Sequence, residues 1–473
     1  MDTRGGEEVV ELEGLLGPAV RPPRGRPAPG GCGGWKTHAG ALALVLAGAA
    51  CMWLGLKAQA KPLRGAIEGG ALQGEFERSL PPDGAGALAG PVNELGLALL
   101  SAIHANMNRS SVFISPVSIV SALGLISLGA TPGGDAEEEL MGALGLNATA
   151  SRPFFEALSA QAGALGGPES GVQLLSANSV WCKGSIKATF VEEARAVFHA
   201  EANPLPADPA PINSWCSKAT HEMVPSILEE IDPLTVAVLV NAVYFKGMWA
   251  SKFEKKRTQR GVFKVPGSGE TPCAMMWRED KKINYFEEDG TQIVELPYGG
   301  DGAKSNISAF VLLPTSDNEA GPSRLVAQLG EQGGAATLAR WIESLRPTHV
   351  SLKLPRFKVE FGVHDLKQEL NSSLGVAAPF APDQGAFMAM TDDRQVYVSS
   401  ILHKAVVDVN EEGTTAAAVT AGVMMTRSIA INPRPPKKVV VDRPFVFLIR
   451  DVSSGVLHFA GVVEDPEFDM SGV

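Results

Sequence analysis

One stretch near the C-terminus constrains the chain more than any other. Residues 404–427 read KAVVDVNEEGTTAAAVTAGVMMTR. The run 404–409 has the β-branched content of a strand, and Glu411-Glu412-Gly413 breaks it, glycine being free of the Cβ that limits other residues. From Thr414 to Thr426 there is then no charge, and the side chains are mostly Thr, Ala, Val and Gly. A solvated loop is ordinarily polar. This one is made of side chains small enough to enter a crowded sheet, with a single Arg427 at its far end and a proline-rich exit, Asn432-Pro433-Arg434-Pro435-Pro436, that should be extended and exposed. A helical or flexible Ala-rich linker is the alternative reading of the segment taken alone.

The rest of the chain has room for a large core. It has 473 residues, 45% of them hydrophobic, and a formal charge of −11. An acidic chain lacks the basic face that phosphate neutralisation requires, so nucleic acid is excluded as the main partner. Glycine and proline make up 27 of the first 90 residues against 57 of the remaining 383, so the front is not core. Its one apolar run, 39–56, is 18 uncharged residues preceded by Arg21, Arg24, Arg26 and Lys36. That length reaches the minimum for a bilayer span, while Ala58-Gln59-Ala60 just after it has the small-x-small form of a cleavage site. Signal peptide and signal anchor both remain open. Either delivers the following residues to the extracellular side, secreted after cleavage near Ala60 or tethered as a single-pass type II membrane protein. Four sequons there, at Asn108, Asn147, Asn306 and Asn371, become glycan acceptors in that compartment. Met470-Ser471-Gly472-Val473 is not a retention tetrapeptide, so export past the endoplasmic reticulum is expected.

Signatures of catalysis and metal binding do not appear. His221-Glu222 lacks the second His of a zinc-protease helix, Gly302-Ala303-Lys304-Ser305 lacks the Gly before a P-loop Lys, and there is no nucleophile elbow. The five cysteines, Cys32, Cys51, Cys182, Cys216 and Cys273, form no CxxC pair. No disulfide framework is expected; in an exported chain the last three leave one disulfide and one free thiol open, without saying which. The expectation is a protein that is not an enzyme and holds no cofactor or metal.

Apolar periodicity gives helices over 92–106, from Pro116, over 187–200 and over 211–229. Strands read at 111–114, 236–245, 306–313, 349–361, 404–409 and 444–450. Helices gather early and strands late, which is an α+β arrangement rather than alternating βαβ units.

Together with the 404–427 segment, six motifs carry a resemblance: VFISPVSI at 112–119, SANSVW at 176–181, LVNAVYFKGMW at 239–249, ELPY at 295–298, LPRF at 354–357 and DRPF at 442–445. In this order they resemble the serpin family. The resemblance implies a single serpin domain over 91–467 with three β-sheets, about eight or nine helices and an exposed reactive-centre loop at 411–438. Residues 1–38 are then a tail, 39–56 the signal or anchor, 57–90 a linker and 468–473 a C-terminal tail. It further implies a suicide-substrate inhibitor whose cleaved loop inserts into the central sheet and traps a serine protease as an acyl-enzyme. The hinge is Glu411, Glu412, Gly413, Thr414, Thr415, Ala416, Ala417 and Ala418. Side chains alternate faces in a strand, so Thr414, Ala416, Ala418 and Thr420 share the inward face and Val419 points outward.

Family spacing of seventeen residues from Glu411 places the reactive bond at Arg427-Ser428, bait for a trypsin-like protease. Arg434 is the rival but precedes Pro435, and Met424 and Met425 suit a chymotrypsin-like register. Ser115, Ser118, Asn241 and His403 match positions that gate the central sheet, and Trp249 marks where insertion begins. Several features depart from the family pattern: sixteen positions from Arg427 to Arg443, Thr415 in place of an acid, and a bulky Val419. These motivate the alternative of a non-inhibitory carrier or folding factor. Residues 150–170 contain one base, Arg152, so activation by a heparin-type polyanion through that helix is not expected. Lys252, Lys255, Lys256, Arg257 and Arg260 read as a solvated charge run, with a polyanion patch as the alternative. The expected partner is a trypsin-like protease in covalent complex with a monomer.

Overall fold

The computed structural model describes residues 86–107, 110–164, 170–300, 305–316, 321–382, 385–414 and 435–472. The tail 1–38, the apolar run 39–56 and linker residues 57–85 lie outside the described residues. So do loop residues 415–434.

Nine α-helices occur among the described residues: α1 (Gly86–Asn106), α2 (Pro116–Gly129), α3 (Asp135–Ala143), α4 (Ala148–Ala164), α5 (Ala188–Phe198), α6 (Ala210–Ala219), α7 (Gly321–Gly330), α8 (Gly334–Glu343) and α9 (Lys367–Leu374). The first eight strands are β1 (Val112–Ile114), β2 (Val172–Cys182), β3 (Glu201–Pro204), β4 (Ala237–Met248), β5 (Gln259–Val265), β6 (Gly269–Glu288), β7 (Thr291–Pro297) and β8 (Ile307–Pro314). The others are β9 (Arg346–Pro355), β10 (Phe357–Asp365), β11 (Ser400–Val409), β12 (Gly413–Thr414), β13 (Lys437–Val440), β14 (Phe445–Asp451) and β15 (Leu457–Val463).

A six-stranded sheet runs β10-β11-β12-β4-β2-β3, and a nine-stranded one runs β1-β15-β14-β8-β7-β6-β9-β13 with β5 also on β6. The larger sheet changes register inside β6, between Asp280 and Ile283. That irregularity separates a surface built on β5, the first half of β6, β9 and β13 from one built on β7, β8, β14 and β15. With the six-stranded sheet, these are the three sheets of the expected α+β serpin fold.

The strand β4 lies mid-sheet and is buried at nine successive positions, Ala237 through Phe245. A strand covered on both faces must be apolar throughout, which is why 236–245 reads as a continuous run rather than an alternation. The helix α2 packs behind it, with eleven of its fourteen residues buried. Ser115 caps α2, its Oγ accepting from the Ser118 N–H at 3.4 Å, and Pro116 fits the first turn because its missing N–H would have had no partner there.

Two expectations are corrected. The helix expected over 211–229 ends at Ala219. His221 and Glu222 take φ of 51° and 66°, which turns the chain back, and the Thr220 hydroxyl bonds the Cys216 carbonyl at 2.8 Å. Asn213 holds the returning segment: its Oδ1 accepts from the N–H groups of Ile227 at 2.8 Å and Leu228 at 3.0 Å. The apolar spacing was real, since Ile212, Cys216, Val224 and Ile227 all pack against Val238 and Val240, but a loop rather than a helix supplies the last two. The strand expected over 349–361 is two strands, parted at Arg356, whose side chain is taken up elsewhere.

Candidate functional site: the hinge and gate of the central sheet

The candidate hinge enters the six-stranded sheet at one end of β4, and the candidate gating residues lie further along the same strand. Lower down, β11 and β4 pair directly and in parallel, from Ser400 opposite Val238 to Val406 opposite Tyr244. Above that, Gly413 lies opposite Met248 and Thr414 opposite Gly247, while Thr414 also pairs with Val409. The first two residues after the Glu-Glu pair therefore already occupy a strand position between β4 and β11. Gly413 must be glycine for this approach, because a Cβ there would sit 2.0 Å from the Gly247 carbonyl oxygen.

Thr414 is fully buried and shares a hydrogen bond of 2.7 Å with the Tyr298 hydroxyl. Tyr298 stacks on Trp249, centroids 4.5 Å apart and planes 12° from parallel. Gly247 opens the space for the phenol ring, since a Cβ there would lie 2.7 Å from Tyr298 Cδ1. Burial pushes the Tyr298 hydroxyl far above its ordinary range, so it stays a neutral hydrogen-bonding group. Trp249 ties the turn in place: its Nε1–H donates to the Asn410 carbonyl and its backbone N–H to that of Glu412, each at 2.9 Å.

The two glutamates have different anchors. Glu411 is buried and receives Arg356, Nε at 2.9 Å and Nη2 at 2.7 Å, together with the Thr258 hydroxyl. Burial pushes its carboxyl up, but the hydrogen bonds from Arg356 and Thr258 outweigh that and hold it below the usual carboxylate range. Glu412 takes Lys252 at 3.3 Å and Lys255 at 3.2 Å. Four of the five bases in the run thus have a carboxylate partner, since Lys256 and Arg257 both reach Glu254, although Lys256 stays largely exposed.

One connected polar cluster joins the candidate gating residues. The backbone N–H of Ser115 donates to His403 Nε2 at 3.2 Å, which makes that nitrogen an acceptor in the neutral ring. Nδ1 therefore carries the proton and donates to Asn241 Oδ1 at 2.6 Å. The Asn241 amide then donates to Ser118 Oγ at 2.5 Å and Asn178 Oδ1 at 2.6 Å, and Ser118 Oγ bonds Ser176 Oγ at 2.9 Å. His403 and Asn241 stand opposite each other across the β11–β4 pair, so parting these strands breaks the cluster at its centre. Four of the five residues that the motifs offer as gating candidates meet here, and Trp249 lies beside the candidate hinge.

Burial lowers the His403 pKa to about 3, with His364 adding to the shift, and lowers that of His458 to about 4. Each ring is neutral in the folded protein and takes a proton in the unfolded chain below about 6.5, so stability is present above that pH and falls as pH drops toward the folded value. Each contributes up to about 1.4 kcal/mol per pH unit within its window. Unfolding midpoints in denaturant between about pH 6 and pH 4 should show a slope that drops by roughly one proton in His403→Gln.

Arg427, Ser428, Thr415, Ala416, Ala417, Ala418 and Asn108 lie outside the described residues. Asn147, Asn306 and Asn371 are exposed. The three described cysteines, Cys182, Cys216 and Cys273, are buried and free, and burial pushes each thiol up to about 11. Tyr298, Arg356, Ser176 and Asn178 lie within the sequence motifs, and their partners come from the structure. Thr258, which bonds Glu411, lies in none of them.

The family model described as Serpin (serine protease inhibitor) matches residues 91–466. The chain is 33% identical over 390 residues to Serpin-ZXA of Oryza sativa subsp. japonica, which covers 79% of this chain and 94% of the relative. It is 30% identical over 378 residues to antithrombin-III of Homo sapiens, covering 76% and 77%, and 32% identical over 384 residues to leukocyte elastase inhibitor of Equus caballus, covering 78% and 96%. Among solved structures, the thermophilic serpin tengpin in its native state gives a TM-score of 0.70 at 26% identity, covering 82% of this chain and 96% of that one. Human thyroxine-binding globulin complexed with thyroxine gives 0.70 at 22%, covering 81% and 99%, a likeness of fold alone. Matched family model, relatives and architecture agree: the chain belongs to the serpin family.

Proposed function

We propose that this serpin is a suicide-substrate inhibitor of a trypsin-like serine protease, attacked at Arg427-Ser428. The observation that carries the reading is the seated pair Gly413–Thr414. Its register along β4 sums to a constant, 413 with 248 and 414 with 247. Continued insertion brings Ala417 opposite Tyr244, Thr420 opposite Asn241 and Val423 opposite Val238, which replaces every β11–β4 pair by two new ones. The side chains of 414–423 are uncharged, and those at Thr414, Ala416, Ala418 and Thr420 are small enough to suit that slot. Roughly ten added ladder hydrogen bonds at about 0.5–1.5 kcal/mol net each give insertion on the order of 10 kcal/mol, comparable to the stability of a whole domain.

Mass spectrometry of the chain after exposure to a trypsin-like protease should find one new C-terminus at Arg427, absent in Arg427→Ala. The loop-cleaved chain should also melt many degrees higher than the intact one. An unchanged melting temperature after cleavage would place the chain with carriers and against this reading.

The proposed setting is extracellular, with the serpin domain beyond a cleaved signal or a type II anchor at 39–56. Its support is the apolar run followed by sequons at exposed Asn147, Asn306 and Asn371. Expressed cells should yield a chain whose mass falls on enzymatic removal of N-glycans; an unchanged mass counts against the assignment.

A further inference from the structure

The basic run and the four-stranded surface around β5, β6, β9 and β13 meet at a groove of about 460 Å3, a size within the range of small-molecule sites. Strand register sets Trp277, Lys353 and Val440 in one row across β6, β9 and β13. Residues directly opposite on neighbouring strands share a face. Beside that row Gly261 leaves the surface without a side chain, and a Cβ there would come within 3.1 Å of Met275 Cβ. The recess follows from that absent side chain.

An aromatic platform forms its floor. The Trp277 indole is fixed by its Nε1–H, which donates to Ser351 Oγ at 3.0 Å, and the Arg257 guanidinium stands 5.1 Å from the ring centroid. Arg260 and Lys353 add two exposed cations, neither with an ion-pair partner among the described residues. Asp442 is the one carboxylate in the lining, and Arg443 already holds it at 2.8 Å. On a chain of charge −11 this is a local inversion of sign.

We propose that the groove binds a small amphipathic anion, with a flat apolar body against Trp277 and one carboxylate, sulfate or sulfonate met by the exposed cations of the lining, Arg260 and Lys353. A guanidinium presents a planar fork suited to such oxyanions, and an indole face suits a flat ring. The proposal does not depend on whether the loop traps a protease.

Calorimetric titration of the full chain with naphthalene-2-sulfonate tests it, beside neutral 2-naphthalenemethanol and inorganic sulfate. Saturable binding of one sulfonate per chain is expected, with the neutral analogue and bare sulfate each weaker by about tenfold or more. Arg260→Gln/Lys353→Gln should weaken the sulfonate by about tenfold or more at an unchanged melting temperature, both residues being exposed. Trp277→Leu should weaken the sulfonate and the neutral analogue alike. Equal binding by the charge-removed variant, equal affinity for the neutral analogue, binding of bare sulfate as tight as that of the sulfonate, or no saturable binding would each overturn the proposal.

Discussion

Thr414→Arg should convert the chain from inhibitor to substrate. Thr414 is fully buried between β4 and β11 with its hydroxyl on Tyr298, and the residues around it are Gly247, Val409 and the Trp249–Tyr298 stack. A guanidinium has no carboxylate to meet in that slot, and burying an unpaired charge costs several kcal/mol. The charge displaces the seated residue in the intact chain, so insertion must begin by burying it, and this slows insertion at its start while hydrolysis of the acyl-enzyme continues. The number of chains consumed per protease inactivated should rise by about tenfold or more, since each 1.4 kcal/mol of slowed insertion is a factor of ten in partition. The fold should survive, because β12 contributes only two residues to the sheet. Titration of residual protease activity measures the effect, and a variant that inhibits like the parent contradicts the insertion account.

The second large effect is expected at Arg356. Its guanidinium carries the buried Glu411 and also donates to the Ser471 carbonyl at 2.6 Å, so it joins the hinge to the C-terminal tail. Arg356→Ala leaves a buried carboxylate without its cation, a loss of roughly 3–5 kcal/mol. Arg356→Met/Glu411→Gln removes both charges and should cost much less than the single change. The pH signature has a definite sign. With the Glu411 carboxyl held below its ordinary value near 4.5, the pair stabilises above that pH and is lost as pH falls through the lower folded value. In Arg356→Ala the carboxyl loses its cation while burial still pushes it up, so acid lability should begin at higher pH. Denaturant unfolding across pH for the three chains measures this, and a double variant as unstable as the single one contradicts it.

The parts of this fold that were legible in the sequence are those where one segment suffices. The strand β4 is buried on both faces and must be apolar along its length, and α2 announces itself by Ser115 and Pro116. Where two segments share one apolar face the reading slipped, as at Val224 and Ile227, whose helical spacing comes from packing on β4 beside α6. The strand β6 escaped notice because GETPCAMMWREDKKINYFEE changes exposure along its twenty residues and shows no sustained period. The hinge and gate residues came from motif resemblance, but their partners did not. Arg356 lies 55 residues from Glu411, Tyr298 lies 116 from Thr414, and His403 lies 162 from Asn241. No local period encodes such pairs. The commitment of Lys252 and Lys255 to Glu412 was hidden for the same reason, since a cluster of bases looks alike whether it faces solvent or a distant carboxylate.

The inhibitory mechanism is tested most directly by mixing the purified chain with a trypsin-like protease and resolving the products on a denaturing gel, beside Arg427→Ala. The account predicts a band at the summed mass of protease and cleaved chain that survives denaturation and is missing from the variant. Complete cleavage at Arg427 with free protease and no such band would contradict it.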